Sequence, residues 1–115
     1  MNKFIFSDYF HMPQGKIAKR MIFKSDNVIA FILNIAKGKI LPGHTHLEST
    51  LLLQVMEGEA RVVTDGNETL LHVGELMQVD GKESLQVINI GENVLRLYVT
   101  ISPMGSESFA KDADV

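Results

Sequence analysis

Short apolar segments alternate with polar, glycine-containing turns along almost the whole chain. Segments dominated by Val, Ile, Leu and Phe lie at 21–23, 28–35, 60–64, 68–72, 85–90 and 94–101. The runs Asp65-Gly66-Asn67 and Gly91-Glu92-Asn93 each separate two of these segments and are typical of hairpin turns. No segment has a long helical period with caps, so the pattern predicts an all-β sandwich or barrel.

One further segment, residues 51–56, is largely apolar on both faces of the predicted strand. Alternate side chains of a strand point to opposite faces. The two resulting sets are Leu51, Leu53 and Val55 on one face, and Leu52, Gln54 and Met56 on the other. We expect the first set to face a barrel interior and the second to be covered by another sheet or by a second subunit.

The length of 115 residues, with 45% apolar and 22% charged residues, is ordinary for one soluble globular domain. We expect an N-terminal arm over residues 1–20, a barrel over 21–102 and a C-terminal tail over 103–115. That tail is polar and is predicted to be loose or to form a short terminal helix.

The formal net charge is −3, and the basic residues are scattered apart from one small group, which consists of Lys16, Lys19, Arg20 and Lys24. This group is expected to be a solvated strand face, so no nucleic-acid partner is indicated. There is no cysteine, which excludes disulfides and thiolate ligands. Because no apolar run reaches signal or membrane-span length, a cytoplasmic protein without a membrane partner is expected.

His44 and His46 are the main candidates for chemistry, because a single residue, Thr45, separates them. On an extended strand both imidazoles would point to the same face, roughly 6 to 7 Å apart along the chain. Two such rings could be adjacent ligands of one metal ion. Imidazole suits several transition metals, so the pair does not name the metal.

The segment from Gly38 to Gly58 resembles the first motif of the cupin family, G-x5-H-x-H-x3,4-E-x6-G. The second motif, G-x5-P-x-G-x2-H-x3-N, is matched only by Gly74 and Asn89 at its two ends. The resemblance covers roughly residues 28 to 102. It implies a single-domain jelly-roll β-barrel, the double-stranded β-helix, which closes two antiparallel sheets around a pocket. It also implies a homodimer, the state expected of small cupins.

The departures from the family pattern fall on the metal ligands. Leu51 stands where the family has a glutamate, and Leu85 stands where it has the second-motif histidine. Two neutral imidazoles hold a divalent ion weakly unless another donor joins them. Candidates for this additional metal donor are His11, Glu48, Gln54 and His72. The expected cofactor is therefore none, or a weakly held divalent metal such as Zn, Ni, Fe or Mn.

The leading hypothesis is a barrel that binds a small, partly apolar molecule, with His44 and His46 as polar anchors. Asn89 is a further candidate contact, although it could instead satisfy backbone groups at a turn. The alternative is a metal-dependent enzyme of the oxygenase or isomerase type, with the two histidines as metal ligands. A third hypothesis is an interaction role with an empty pocket. The predicted apolar wall consists of Leu51, Leu53, Val55, Leu85 and Val87.

Overall fold

The computed structural model describes all 115 residues, which form ten β-strands and two short 3-10 helices. Neither helix could cross a membrane, since the longer one has four residues. The 3-10 helices lie at Phe6–Tyr9 and Glu107–Phe109. The strands are β1 Ile17–Lys24, β2 Ile29–Ile35, β3 Ile40–His44, β4 Thr50–Glu57, β5 Glu59–Thr64, β6 Asn67–His72, β7 Leu76–Asp80, β8 Leu85–Asn89, β9 Leu95–Ser102 and β10 Ala113–Asp114.

The strands form two antiparallel sheets that enclose one core. The larger sheet has the order β10-β1-β2-β9-β4-β7, and the smaller has the order β3-β8-β5-β6. The non-sequential neighbours, such as β2 beside β9 and β3 beside β8, are the long crossovers of a jelly roll. The predicted all-β, cupin-like barrel is therefore confirmed.

The core has 20 buried apolar residues, most of them from the two sheets. In β4 the alternation is plain, because Leu51, Leu53 and Val55 are each at most 2% exposed and belong to this core. The opposite face of β4 is less covered, and Leu52 is 38% exposed there. The inward face of β4 therefore lies in the core as predicted. The outward face, which was expected to be covered by another sheet or a second subunit, is partly exposed to solvent in the single chain.

The barrel extends past both expected boundaries. β1 begins at Ile17, within the stretch expected to belong to the arm. The last residues also belong to the fold, because β10 pairs with β1 and the Val115 carbonyl accepts hydrogen bonds from the Lys16 and Ile17 amides. Met104 and Ala110 are buried, at 8% and 4% exposure. The C-terminal segment is thus docked rather than loose.

The N-terminal arm lies on the outer side of β2 and is held there by Asn34. This buried amide donates to the Tyr9 carbonyl at 3.2 Å and accepts from the His11 amide at 3.2 Å. It also accepts from the Arg96 guanidinium. These bonds satisfy a polar side chain that is fully buried, which would otherwise cost about 1 to 3 kcal/mol.

Candidate functional site

The two histidines lie together at one end of the barrel, but only one belongs to a strand. β3 ends at His44 after an irregularity in its pairing with β8, and His46 lies in the loop that follows. Their ring centroids are 4.7 Å apart, with the rings nearly perpendicular. The expected pairing of the rings is present, whereas the expected simple strand alternation is not. The loop, rather than the strand pleat, brings the rings together.

Gly81 fixes the loop that carries His46. The Gly81 carbonyl accepts from the His46 amide and the Gly81 amide donates to the Ser49 carbonyl, both at 2.8 Å. A Cβ at position 81 would overlap the backbone oxygens of His46 and Ser49. Because only glycine allows this approach, Gly81 determines where the second imidazole is placed.

His46 is a buried, neutral imidazole with an unpartnered nitrogen. The residue is 6% exposed, and its Nδ1 is a buried polar side-chain atom without a hydrogen-bond partner. Burial first, and then the nearby charges of His44 and Lys19, together lower the pKa of His46 from 6.5 to about 4. By contrast, the Nδ1 of partly exposed His44 donates to the Pro42 carbonyl at 2.8 Å, which leaves its Nε2 as an acceptor.

Lys19 is part of the same site, although the sequence had placed it on a solvated face. Ile17 and Met21, two residues to either side, both pack on the core, and Lys19 shares their face of β1. Its Nζ lies 4.4 Å from the centre of the Phe31 ring. That part of the prediction is wrong because strand alternation turns one member of the basic group inward, while Arg20 faces outward and pairs with Asp114 at 2.9 Å.

Phe109 covers the site from the C-terminal segment. Its ring centroid is 4.2 Å from that of His46, in an edge-on arrangement. Its carbonyl accepts a hydrogen bond from Lys19 Nζ. The sequence carries no strong signal for this placement, since Phe109 is a single aromatic residue in a polar stretch.

The predicted apolar wall is core rather than an open lining. Its five residues are at most 2% exposed and belong to the single core cluster. No cavity opens onto them, so they pack against one another beneath the histidines. This corrects the expectation of a barrel pocket lined by these residues. The histidines lie instead at one end of the barrel with Lys19 and Phe109, and these four residues form what we call the barrel mouth, above a filled core. The residues concerned are Leu51, Leu53, Val55, Leu85 and Val87.

Three cavities of about 330, 340 and 460 Å³ exist, and all lie away from the histidines. The first is near Met12 and Arg96, and the third borders Leu70 and Leu76. The second lies between the N-terminal arm and the outer sheet face, with Phe6 and Tyr98 among its lining residues. None combines an unpartnered buried nitrogen with a partly buried cation, as the barrel mouth does.

Asn89 holds a turn instead of facing a ligand. Its amide nitrogen donates to the Ile35 carbonyl at 3.0 Å and to the Asn93 carbonyl at 2.9 Å. Its oxygen accepts from the Gly91 amide at 3.0 Å. With both amide hydrogens used by backbone, Asn89 is not a ligand contact in this structure, and the alternative of a role at a turn describes it.

The histidine pair has no third metal donor beside it. No group of three or more His, Asp or Glu side chains is arranged to hold a metal ion. His72 pairs with Glu75 at 3.3 Å on β6, and Gln54 lies on the outward face of β4. Leu85 lies directly opposite His44 in the pairing of β3 with β8. The donor set therefore fits two positions of a metal site and does not complete it.

Comparison with known proteins agrees with this architecture. The family model described as the cupin domain matches residues 31–101. Comparison with curated protein sequences gives no match. Among solved structures, a conserved protein with a double-stranded β-helix domain from Klebsiella pneumoniae is 18% identical, with a TM-score of 0.83 over 98% of this chain and 96% of that one.

Two other solved structures have similar folds. An RmlC-like cupin protein from Desulfovibrio desulfuricans is 22% identical, with a TM-score of 0.79 over 90% of this chain and 97% of that one. KdgF from Halomonas sp. is 15% identical, with a TM-score of 0.78 over 94% of this chain and 98% of that one. At these identities the similarity shows the fold alone.

Proposed function

This chain belongs to the cupin family, and we propose that it binds a small organic molecule at the mouth of its barrel. The unpartnered Nδ1 of His46 carries this proposal. A buried polar atom without a partner costs about 1 to 3 kcal/mol. The atom is closed off in this structure, so a ligand would reach it by displacing a covering group such as the Phe109 ring. A hydrogen bond from the ligand would then recover that cost, and the free Nε2 of His44 would offer a second contact.

The neutral state of His46 supports binding through hydrogen bonds rather than through charge. With a pKa lowered to about 4 by burial and by the nearby charges of His44 and Lys19, the ring is neutral at pH 7. A neutral imidazole presents one N–H and one lone pair. It can therefore meet either a donor or an acceptor of the ligand.

The alternative of a metal-dependent oxygenase or isomerase has one observation in its favour, the 4.7 Å between the two imidazole centroids. Catalytic metal sites use about three protein ligands and keep a position open for substrate. Here Leu85 lies opposite His44, where a third donor would be near enough to join. We therefore rank the metal-free binding site above the enzyme, with weak metal occupancy as the most that two imidazoles support.

We also propose that the outer sheet face binds a second copy of the chain. Phe6, Phe23 and Tyr98 line an apolar cavity there, and Leu52 pairs with Thr100 of the same lining. Phe23 and Leu52 are 40% and 38% exposed, respectively. Contact between two such faces would remove this apolar surface from water. Light scattering of the wild type and of Leu52→Lys tests this, and a monomeric wild type would contradict it.

The test of the binding function uses benzamide, a neutral probe whose amide can both donate and accept. Its dissociation constant is measured by NMR through the histidine ring signals in wild type, in His46→Leu and in the matched control His72→Leu. We expect at least a tenfold loss of affinity in His46→Leu and none in the control. We also expect His46→Leu to be more stable, because an orphaned polar atom has been removed.

Two results would overturn the proposal. The first is unchanged benzamide affinity in His46→Leu, which would place the probe elsewhere. The second is submicromolar, one-to-one binding of Zn²⁺ to the wild type by calorimetry, lost in His46→Leu. That result would require a third donor and would favour the metal-dependent enzyme.

A further inference from the structure

Phe109 makes two contacts with the barrel mouth. Its ring lies edge-on to His46 with 4.2 Å between centroids, and its carbonyl oxygen accepts from Lys19 Nζ. His46 therefore contacts a flat apolar ring, and Lys19 donates to an oxygen. The chain thus places a ring and an oxygen acceptor, carried by one residue, at the site where a ligand would bind.

Hydrogen bonds to the barrel anchor the segment around Phe109 at its two ends. Before it, the Pro103 carbonyl accepts from Ser49 Oγ at 2.8 Å, and the Met104 amide donates to the Asp26 carbonyl at 3.1 Å. After it, Asp112 accepts from the Met21 amide at 2.7 Å, and β10 then pairs with β1. These anchors hold the ends in place independently of the residue between them.

Between those anchors, few polar contacts join the segment to the barrel. One is the Lys19 contact with the Phe109 carbonyl, and the other is an exposed ion pair, Lys24 with Glu107, at 3.7 Å. The two backbone bonds of the 3-10 helix are internal to the segment. Exposed ion pairs contribute little. Lifting this helix from the mouth would break those two contacts and the packing of Phe109 and Ala110 on the core, but it would unpair no strand.

Lys19 is an ammonium group that lacks an anionic partner. No carboxylate lies within ion-pair distance, and its hydrogen bond goes to a neutral carbonyl. Burial lowers the pKa of Lys19, and the more distant charge of Asp112 opposes this. The bond to the Phe109 carbonyl has only one ionised partner, whereas a bond to a carboxylate has two and adds the attraction between opposite charges. An anionic oxygen would thus displace the Phe109 carbonyl with a gain.

We propose that Phe109 is an internal substitute for the ligand, and that the ligand is a flat, ring-containing carboxylate. Its ring would take the position of the Phe109 ring against His46, and its carboxylate would replace the Phe109 carbonyl at Lys19. Resting on the proposed function of the same mouth, this inference adds the class of ligand and makes the C-terminal segment a self-blocking lid.

The experiment compares benzoate with benzamide, which has the same ring but no charge. Dissociation constants are measured by NMR for wild type, Lys19→Gln, Phe109→Ala and Lys16→Gln, the last being a control at an exposed lysine nearby. We expect wild type to prefer benzoate by at least tenfold, and Lys19→Gln alone to lose that preference. We expect Phe109→Ala to bind both probes more tightly, because the competing ring is gone.

A second readout needs no variant. Benzoate should abolish the nuclear Overhauser contacts between the Phe109 and His46 rings, and added salt should weaken benzoate binding more than benzamide binding. Equal affinities for the two probes in wild type, with contacts between those rings intact, would overturn this inference but leave neutral binding at His46 standing. Failure of both probes to bind wild type and Phe109→Ala would overturn the proposed function as well.

Discussion

Lowering the pH from about 7.5 to about 5 should weaken the fold through His46. Burial, followed by the charges of His44 and Lys19, lowers the pKa of this ring from 6.5 to about 4 on folding. Between these two values the unfolded chain binds a proton that the folded chain does not. The free energy of unfolding therefore rises with pH across this window. The stabilisation is complete above about pH 6.5 and is lost as the pH falls toward about 4.

The magnitude follows from the same values. A pKa difference of about 2.5 corresponds to at most about 3.4 kcal/mol. Integrating the proton uptake between about pH 7.5 and about pH 5 gives a loss of about 2 kcal/mol. With the residue 6% exposed, solvent screening reduces this value little. Because the free energy of unfolding of small domains is about 5 to 15 kcal/mol, the effect is readily measured.

The assay is urea unfolding, followed by far-ultraviolet circular dichroism at fixed protein concentration and at several pH values. His46→Gln removes the buried ring, and His11→Gln is the matched control, since the His11 side chain is exposed and makes no hydrogen bond. We expect wild type and His11→Gln to lose about 2 kcal/mol more than His46→Gln over the range. Losses equal to within about 0.5 kcal/mol in all three proteins would refute the reasoning.

Three further changes test the geometry of the site. Gly81→Ala should lower the free energy of unfolding, measured in urea, by more than about 3 kcal/mol, because the added Cβ would overlap backbone oxygens. The control Gly91→Ala should be nearly neutral, because its Cβ would make only ordinary contacts at 3.6 Å. The double variant Leu51→Glu with Leu85→His should bind Zn²⁺ tightly, as measured by calorimetry. If its Zn²⁺ affinity is no higher than that of either single variant, the alignment with the cupin motifs is wrong. Asn89→Ala should cost about 2 to 3 kcal/mol without changing probe affinity, because it removes three hydrogen bonds to backbone.

Local patterns predicted the strands well because each is specified by its own side chains. The hairpin between β5 and β6 is an example, with Asp65 and Gly66 as its two central residues at positive φ values of 48° and 84°. Turns of this kind require residues that tolerate such angles, and Asp-Gly supplies them. The alternation in β4 similarly fixed which leucines enter the core.

The parts of the site that sequence reasoning missed depend on contacts between distant residues. The alternation of Ile17, Lys19 and Met21 was a usable signal for the inward side chain, but the neighbouring basic residues suggested a solvated face. No local signal existed for Phe109, whose position depends on β10 pairing with β1 nearly the whole chain away. The placement of His46 likewise depends on Gly81, which approaches it from another loop.

The loss of the metal ligands and the presence of Lys19 have a common consequence for the proposed site. A metal ion in such a barrel would occupy the ring nitrogens of both histidines and supply the positive charge that attracts an anionic ligand. With Leu85 opposite His44, those nitrogens are free to hydrogen-bond a ligand directly. The positive charge then has to come from a side chain, and Lys19 provides one beside His46 without a carboxylate to neutralise it. The two leucines, which cannot ligate a metal, and the inward lysine therefore both support the proposed binding of a small carboxylate.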